Sequence, residues 1–161
     1  MIIKNESPKR LGIQFFYETD GYVDGFVKKF FEDYRKQVSD MIVVCNGKLD
    51  EEGEKFFRQY TDKVIVRKNE GLDVWAYKTA LDSIGWEGLS EYDEVVFANS
   101  TIMGPIYSLA ESFNTMAKED LDFWGMTKHY KIPYDPWGNC PYGYIPEHIQ
   151  SHFMVFRNSL V

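Results

Sequence analysis

A chain of 161 residues with 44% hydrophobic and 17% aromatic content is long enough to build a core without disulfide staples, and it is too apolar for disorder. Eighteen Lys and Arg against 25 Asp and Glu give a net charge of −7. That excludes a general nucleic-acid binder, which needs cationic surface for phosphates, but leaves room for a local basic pocket around a nucleotide. The two cysteines, Cys45 and Cys140, are too few for a disulfide framework or a zinc site and suit a reducing cytoplasm. No segment has signal-peptide character or approaches the roughly 20 apolar residues of a membrane helix. A soluble, cytoplasmic protein is expected, with peripheral association at the inner face of a membrane through a partner.

The elements follow in chain order. Leu11–Tyr17 is an apolar run of buried-strand type, closed by a polar turn at 18–21. Val23–Val38 carries Val23, Phe26, Val27, Phe30, Phe31 and Tyr34 at steps of three and four, one face of a helix. Met41–Cys45 is a second buried strand, stopped by Asn46 and Gly47. Leu49–Tyr60 is a charged helix with Phe56, Phe57 and Tyr60 inward. Lys63–Arg67 is a third strand, Leu72–Ile84 a third helix and Glu94–Ala98 a fourth strand. This alternation predicts βαβ units and a mostly parallel sheet flanked by helices. In such sheets ligands sit outside the carboxyl ends of the strands. Those ends are Tyr17–Thr19, Cys45–Gly47, Lys68–Gly71 and Asn99–Thr101, which also suit ordinary turns.

After residue 104 the rhythm changes. A helix is expected over Ile106–Met116, a strand over Asp122–Thr127, and a last apolar strand over Ile149–Phe156. Between the last two lies Lys128–Glu147, rich in aromatics, Pro and Gly and too long for an ordinary connection. The chain stops soon after a strand, which reads as a piece of something longer.

Four segments offer chemistry. In 63–78 a strand, a tight polar loop and a helix follow one another; Arg67 and Lys68 bring positive charge to a strand end, and the helix N-terminus adds to it. Asn69 and Asp73 offer directed hydrogen bonds to a base or ribose, although Asp73 also suits a helix cap. Lys78 lies one to two turns into the helix. In 92–105 a buried strand ends in Asn99, Ser100 and Thr101, with no carboxylate for a metal; the acids Asp93 and Glu94 stand at the far end. In 122–125 Asp122, beside two large aromatics, is a candidate general base, and Trp124 a candidate sugar-stacking ring; an aromatic core strand with Asp122 at its exposed start is the plainer alternative. In 147–153 strand alternation puts His148, Gln150 and His152 on one face, a polar wall for hydroxyl groups. Two His so spaced on a strand are poor chelators of one metal, and Cys140 has no arranged base beside it.

Taken in order, Phe16-Tyr17, Asn69–Lys78, Tyr92–Glu94, Asn99–Pro105, Asp122–Thr127 and His148–Phe153 resemble the rhamnan synthesis protein F family, glycosyltransferase-like proteins of bacterial cell-surface polysaccharide assembly. The resemblance covers roughly residues 11 to 160. It implies one domain over 1–161 with a Rossmann-like, GT-A-type fold: a nucleotide-binding half over about 11–104 and an acceptor side over about 105–161. It implies transfer of a sugar, typically rhamnose, from a nucleoside-diphosphate donor to a glycan acceptor. By position, Tyr17, Asn69, Gly71, Asp73, Lys78, Asn99 and Ser100 would meet the donor, Asp122 and His148 would supply acid–base chemistry, and Trp124, Gln150 and His152 would meet the acceptor. Arg67, Lys68 or Lys78 would stabilise the leaving diphosphate without metal. One departure matters. Ser100 stands where the family carries Asp, which weakens the case for a divalent Mn or Mg ion and favours the alternative of a non-catalytic nucleotide- or glycan-binding domain. The family sequence also runs on past residue 161, so part of the acceptor site is expected to lie beyond this chain. A flavodoxin-like module fits less well, lacking a phosphate loop of Ser, Thr and Gly at the first strand end.

Overall fold

The computed structural model of the chain describes residue 3 and residues 7–160. Its elements are β1 (Arg10–Phe16), α1 (Gly25–Arg35), β2 (Asp40–Asn46), α2 (Glu51–Arg58), β3 (Val64–Arg67), α3 (Leu72–Leu89), β4 (Glu94–Asn99), α4 (Ala110–Met116), β5 (Phe123–Gly125), β6 (Lys128–His129), β7 (His148–Ile149) and β8 (Phe153–Arg157), with a 3-10 turn at Asn158–Leu160. Six strands form one sheet in the order β3-β2-β1-β4-β8-β5. β3, β2, β1 and β4 run parallel; β8 is antiparallel to both β4 and β5. The expected α/β architecture with a mostly parallel sheet is therefore present.

Residues of β1 alternate between two buried faces, which is why Leu11–Phe16 is apolar on both, the buried Gln14 excepted. Phe16 packs on one side with Val27, Phe30 and Phe31 of α1, Phe57 of α2 and Phe113 of α4. Leu11, Ile13 and Phe15 pack on the other against Ala76, Tyr77 and Ala80 of α3. The first core is held largely by aromatic rings meeting edge to face, as Phe31 does with Phe57 at 5.1 Å between centroids. The chain winds outward from β1 to β3, then crosses back through α3 to β4 on β1's other side. Strand order thus reverses between β1 and β4, and in open α/β sheets ligands bind at the carboxyl edge beside such a reversal.

Several boundaries shift for identifiable reasons. Asp24 caps α1 through the Phe26 N–H, so Val23 lies before the helix. α3 runs past Ile84 to Leu89 across a kink at Gly85, where φ is 72°. α4 starts at Ala110 rather than Ile106, because the Asp33 carboxylate of α1 accepts the Leu109 N–H (2.7 Å) and the Ser108 hydroxyl (3.1 Å) just before it. The expected strand over 149–156 is broken by a turn at 151–152: Ile149 ends β7 in a separate two-stranded sheet, and β8 begins at Phe153. The long connection is a β arm. β6 pairs with β7, and Ile132 and Ile145 exchange two backbone hydrogen bonds of 3.0 Å further out. No helix among the described residues is long and apolar enough to cross a membrane.

Candidate functional site

The carboxyl edge of the sheet gathers polar residues from four strand ends. Asn46, the last residue of β2, is fully buried. Its Nδ2 donates to Leu72 O (3.0 Å) and Asn69 Oδ1 (3.4 Å), and its Oδ1 accepts from Arg67 Nη1 (2.7 Å). Arg67 Nη1 also donates to Glu70 O at 3.0 Å. A buried amide with three partners fixes the loop between β3 and α3. Gly47, at φ 81°, lies between the Tyr17 ring and Asn69, each 3.8 Å from where a Cβ would stand. The missing side chain leaves a small floor bounded by Tyr17 and Asn69.

Gly71 starts α3 in the left-handed region at φ 69°, and a Cβ there would meet the Trp75 ring at 2.0 Å. Gly71→Ala is expected to displace this loop and cost about 1–3 kcal/mol of stability, read by chemical denaturation; an unchanged midpoint would contradict the constraint.

Asp73 does not cap α3. Its Oδ2 instead accepts from Asn99 Nδ2 at 3.4 Å, bridging the helix start to the end of β4. Burial, and then the nearby Asp73 charge, push the Tyr77 phenol well above its ordinary range, so it stays protonated and donates to Ser151 O at 3.1 Å. Asn99 N–H donates to His152 O (2.9 Å), and Thr101 Oγ1 lies 3.4 Å from His152 Nδ1. His152 therefore stands at the edge beside Asn99 and Thr101. Ser100 is buried, and its N–H donates to Phe15 O. Tyr17, Asn69, Gly71, Asp73, Asn99 and His152 are thus brought to one edge, with the Ser100 backbone among them. Asn46 and Thr101 join them. Asn46 carried a legible signal, a polar residue closing a buried run.

Charge at this edge is uneven. Lys68 pairs with Glu70, and Lys78 with Asp82. Arg67, bonded to neutral oxygens, has no carboxylate partner among the described residues. Its positive charge is left for an anion.

Other expected site residues lie elsewhere. Asp122 precedes β5 and is level with Arg157 and Glu94, at the amino end of β4. Five residues of β4, roughly 17 Å, separate that level from Asn99. Its carboxylate accepts from Ser159 Oγ at 2.9 Å. Trp124 is buried in the core against Phe113 and Phe153, with no face open to a sugar. Lys78 lines an apolar groove between α3 and β8, about 9 Å along the helix from Leu72. His148 stacks on His129 across the arm with ring centroids 5.1 Å apart. Gln150 is half-buried at the arm's root, its N–H donating to Thr127 O. The turn at 151–152 removes the common face expected for His148, Gln150 and His152. Burial, with Glu54 adding to it, raises the Cys45 thiol to about 12, so it stays protonated. A divalent cation fits this edge poorly: Ser100 is neutral, and among the described residues no three His, Cys, Asp or Glu side chains converge.

A family model described as rhamnan synthesis protein F matches residues 41–161. The chain belongs to the rhamnan synthesis protein F family. The match runs from β2 through β8 and so includes most of the carboxyl-edge cluster. Membership of this family ties the chain to polysaccharide biosynthesis. Among solved structures, a CMP:2-keto-3-deoxy-manno-octonic acid synthetase complexed with CTP is similar over 94% of this chain and 75% of its own, with a TM-score of 0.50 and 10% identity. At that identity the likeness speaks for the fold alone. No individual curated protein matches the chain significantly.

Proposed function

We propose that this domain is a GT-A-type glycosyltransferase that takes a sugar, rhamnose foremost, from a nucleoside-diphosphate donor and passes it to a cell-surface polysaccharide acceptor. The observation that carries the reading is Arg67, an uncompensated cation held by neutral acceptors at the strand ends, next to Asn69, Gly71 and the start of α3. Family membership supports the polysaccharide role. The domain works at the cytoplasmic face of the membrane, docked on assembly partners.

The donor's nucleotide lies over Tyr17, Gly47 and Asn69, with its phosphates toward Arg67 and the α3 N-terminus. Its sugar points along the edge past Asn99 toward His152. From β2 to β8 is three strand spacings, about 14 Å, a span an extended nucleoside-diphosphate sugar covers. The acceptor hydroxyl attacks the anomeric carbon, the bond to the diphosphate oxygen breaks, and the diphosphate leaves with the electron pair. The hydroxyl proton passes to the His152 imidazole, whose Nδ1 lies 3.4 Å from Thr101 Oγ1 at the end of β4; Asp73, bonded to the Asn99 amide, lies on the donor side. Asp122, at the other end of the sheet, takes no part in this scheme.

Two measurements test it. Calorimetric titration with UDP, dTDP and GDP should give selective binding of one of them, and absence of binding to all three would defeat the reading. His152→Asn should lower turnover about 10²–10⁴-fold while leaving nucleotide affinity unchanged. Full turnover in that variant would exclude His152 as the base. Ser100, in the place of an acid, favours a second reading: a domain that binds nucleotide or glycan without catalysis. It would bind the same nucleotide yet neither hydrolyse nor transfer the donor sugar.

A further inference from the structure

The arm over 128–147 is built, and its surface is unusual. Ile132 and Ile145 lock its two sides together. At its tip the Asp135 carboxylate accepts the Trp137 N–H (3.0 Å) and the Cys140 N–H (2.5 Å), and the Cys140 thiol donates to Tyr144 O (2.9 Å). Those backbone donors, Cys140's foremost, hold the Asp135 carboxyl below its usual range. The carboxylate is therefore ionised and organises the tip at neutral pH. On this frame Tyr130, Tyr134, Trp137 and Tyr142 present their rings to solvent, each between 62% and 75% exposed. Four large rings left outside a packed core mark an interaction surface.

The chemistry of the rings selects the partner. Each offers a flat apolar face, and three carry a phenol that donates and accepts hydrogen bonds. A pyranose presents the complement: a face of C–H groups ringed by hydroxyls. An anionic membrane suits the arm less. Lys128 and Lys131 balance Asp135 and Glu147, so residues 128–147 carry no formal net charge with His neutral. Lys128 is paired with Glu147, and Lys131 lies 4.6 Å over the Tyr144 ring. Attraction to anionic lipid needs an excess of cations near the surface, and the whole chain carries −7.

The arm also leads to the proposed reaction site. Its root is pressed onto the sheet at Gly125, where a Cβ would stand 2.3 Å from Ile149 Cγ2. Gln150 N–H donates to Thr127 O there. Thr127 and Met126 share a cavity of about 300 Å³ with Thr101 and His152. From His129 to the Ile132–Ile145 bridge the arm runs over three residues, about 10 Å, and the chain bends beyond it.

We infer that the 128–147 arm is the platform for the acceptor glycan: a saccharide chain lies along its exposed rings with its growing end in the cavity beside His152. This rests on the transferase reading of the carboxyl edge, but its test does not require turnover. The purified chain is titrated with size-fractionated rhamnan oligosaccharide, followed by Trp fluorescence and NMR, and separately with the nucleotide. The double variant Tyr134→Ala/Trp137→Ala should lose glycan affinity by about ten-fold or more. Nucleotide affinity and melting temperature should stay unchanged, since both rings are exposed and lie off the nucleotide edge. Trp137→Phe should retain most of the affinity, because a flat ring remains. Glycan affinity unchanged in the double variant, or no glycan binding by the parent chain, would overturn the platform. So would binding to phosphatidylcholine/phosphatidylglycerol vesicles that the double variant abolishes, without glycan binding. If glycan binds through the rings but no nucleotide binds, the platform stands and the donor-site reading falls; the reverse result removes the platform alone.

Discussion

Glu94→Gln is expected to lower the stability of the fold by about 3–5 kcal/mol, one of the largest effects available from a single exchange. Glu94 begins β4 and is 2% exposed. Its Oε2 lies 2.6 Å from Arg10 Nε and its Oε1 3.4 Å from Arg157 Nε. Arg157, also 2% exposed, donates to the backbone oxygens of Met116 (2.6 Å), Leu121 (2.8 Å) and Glu119 (2.9 Å). One carboxylate thus lies between two guanidiniums that tie β1, β4 and β8 to the segment following α4. The amide of Gln is nearly isosteric but neutral, so both guanidiniums lose a desolvated counter-charge while remaining sequestered. For a chain of this length the loss corresponds to a fall in melting temperature of about 6–20 °C. Thermal and denaturant unfolding measure it; a change under about 1 kcal/mol would mean that solvent reaches the cluster. Glu94 lies at the opposite end of β4 from Asn99, so nucleotide affinity, measured well below the melting point, should survive.

That cluster also shows where sequence reasoning reaches and where it stops. The strands β1 to β4 were legible because each is an apolar run punctuated by turn residues, and strand direction then points Tyr17, Asn69, Gly71, Asp73 and Asn99 to one edge. Arg157 lies just past the last expected strand, which ended at Phe156; only the return of β8 beside β4 buries it. The same antiparallel return decides the fate of Asp122. With β8 reversed, β5 runs in the direction of β4, so a carboxylate preceding it belongs to the amino end of the sheet. Trp124 could not be assigned to core or surface from alternation alone, because alternation separates it from Phe123 and Gly125 without saying which face α4 covers. Lys78 stands five residues after Asp73, about 140° around the helix from it, and its i,i+4 partner Asp82 holds it along the helix. The arm escaped notice as a β element because its ladder is only two residues long and prolines interrupt the chain toward its tip. Ile132 and Ile145, isolated apolar residues on either side of the turn-rich tip, were its faint signal.

Arg67→Gln is expected to weaken nucleoside-diphosphate binding by about 10- to 100-fold with little change in stability. Two charge-bearing hydrogen bonds to a phosphate account for that range, and Arg is suited to make them because its fork matches phosphate oxygens two at a time. The exchange isolates charge from architecture. Asn46 Nδ2 still donates to Leu72 O and Asn69 Oδ1 without Arg67, so the loop between β3 and α3 keeps those two ties. Arg67→Lys should fall between the two, retaining the charge and losing the fork. Salt provides an independent reading: affinity of the parent chain should fall as ionic strength rises, and that dependence should flatten in Arg67→Gln. Lys78→Gln is the control. Its ammonium is engaged by Asp82 in the groove behind α3, so its loss should leave nucleotide affinity unchanged. Calorimetry decides between these cations. A two-fold or smaller effect at Arg67 beside a large one at Lys78 would move the phosphates from the carboxyl edge to the α3 groove, and the transfer scheme built on His152 would move with them.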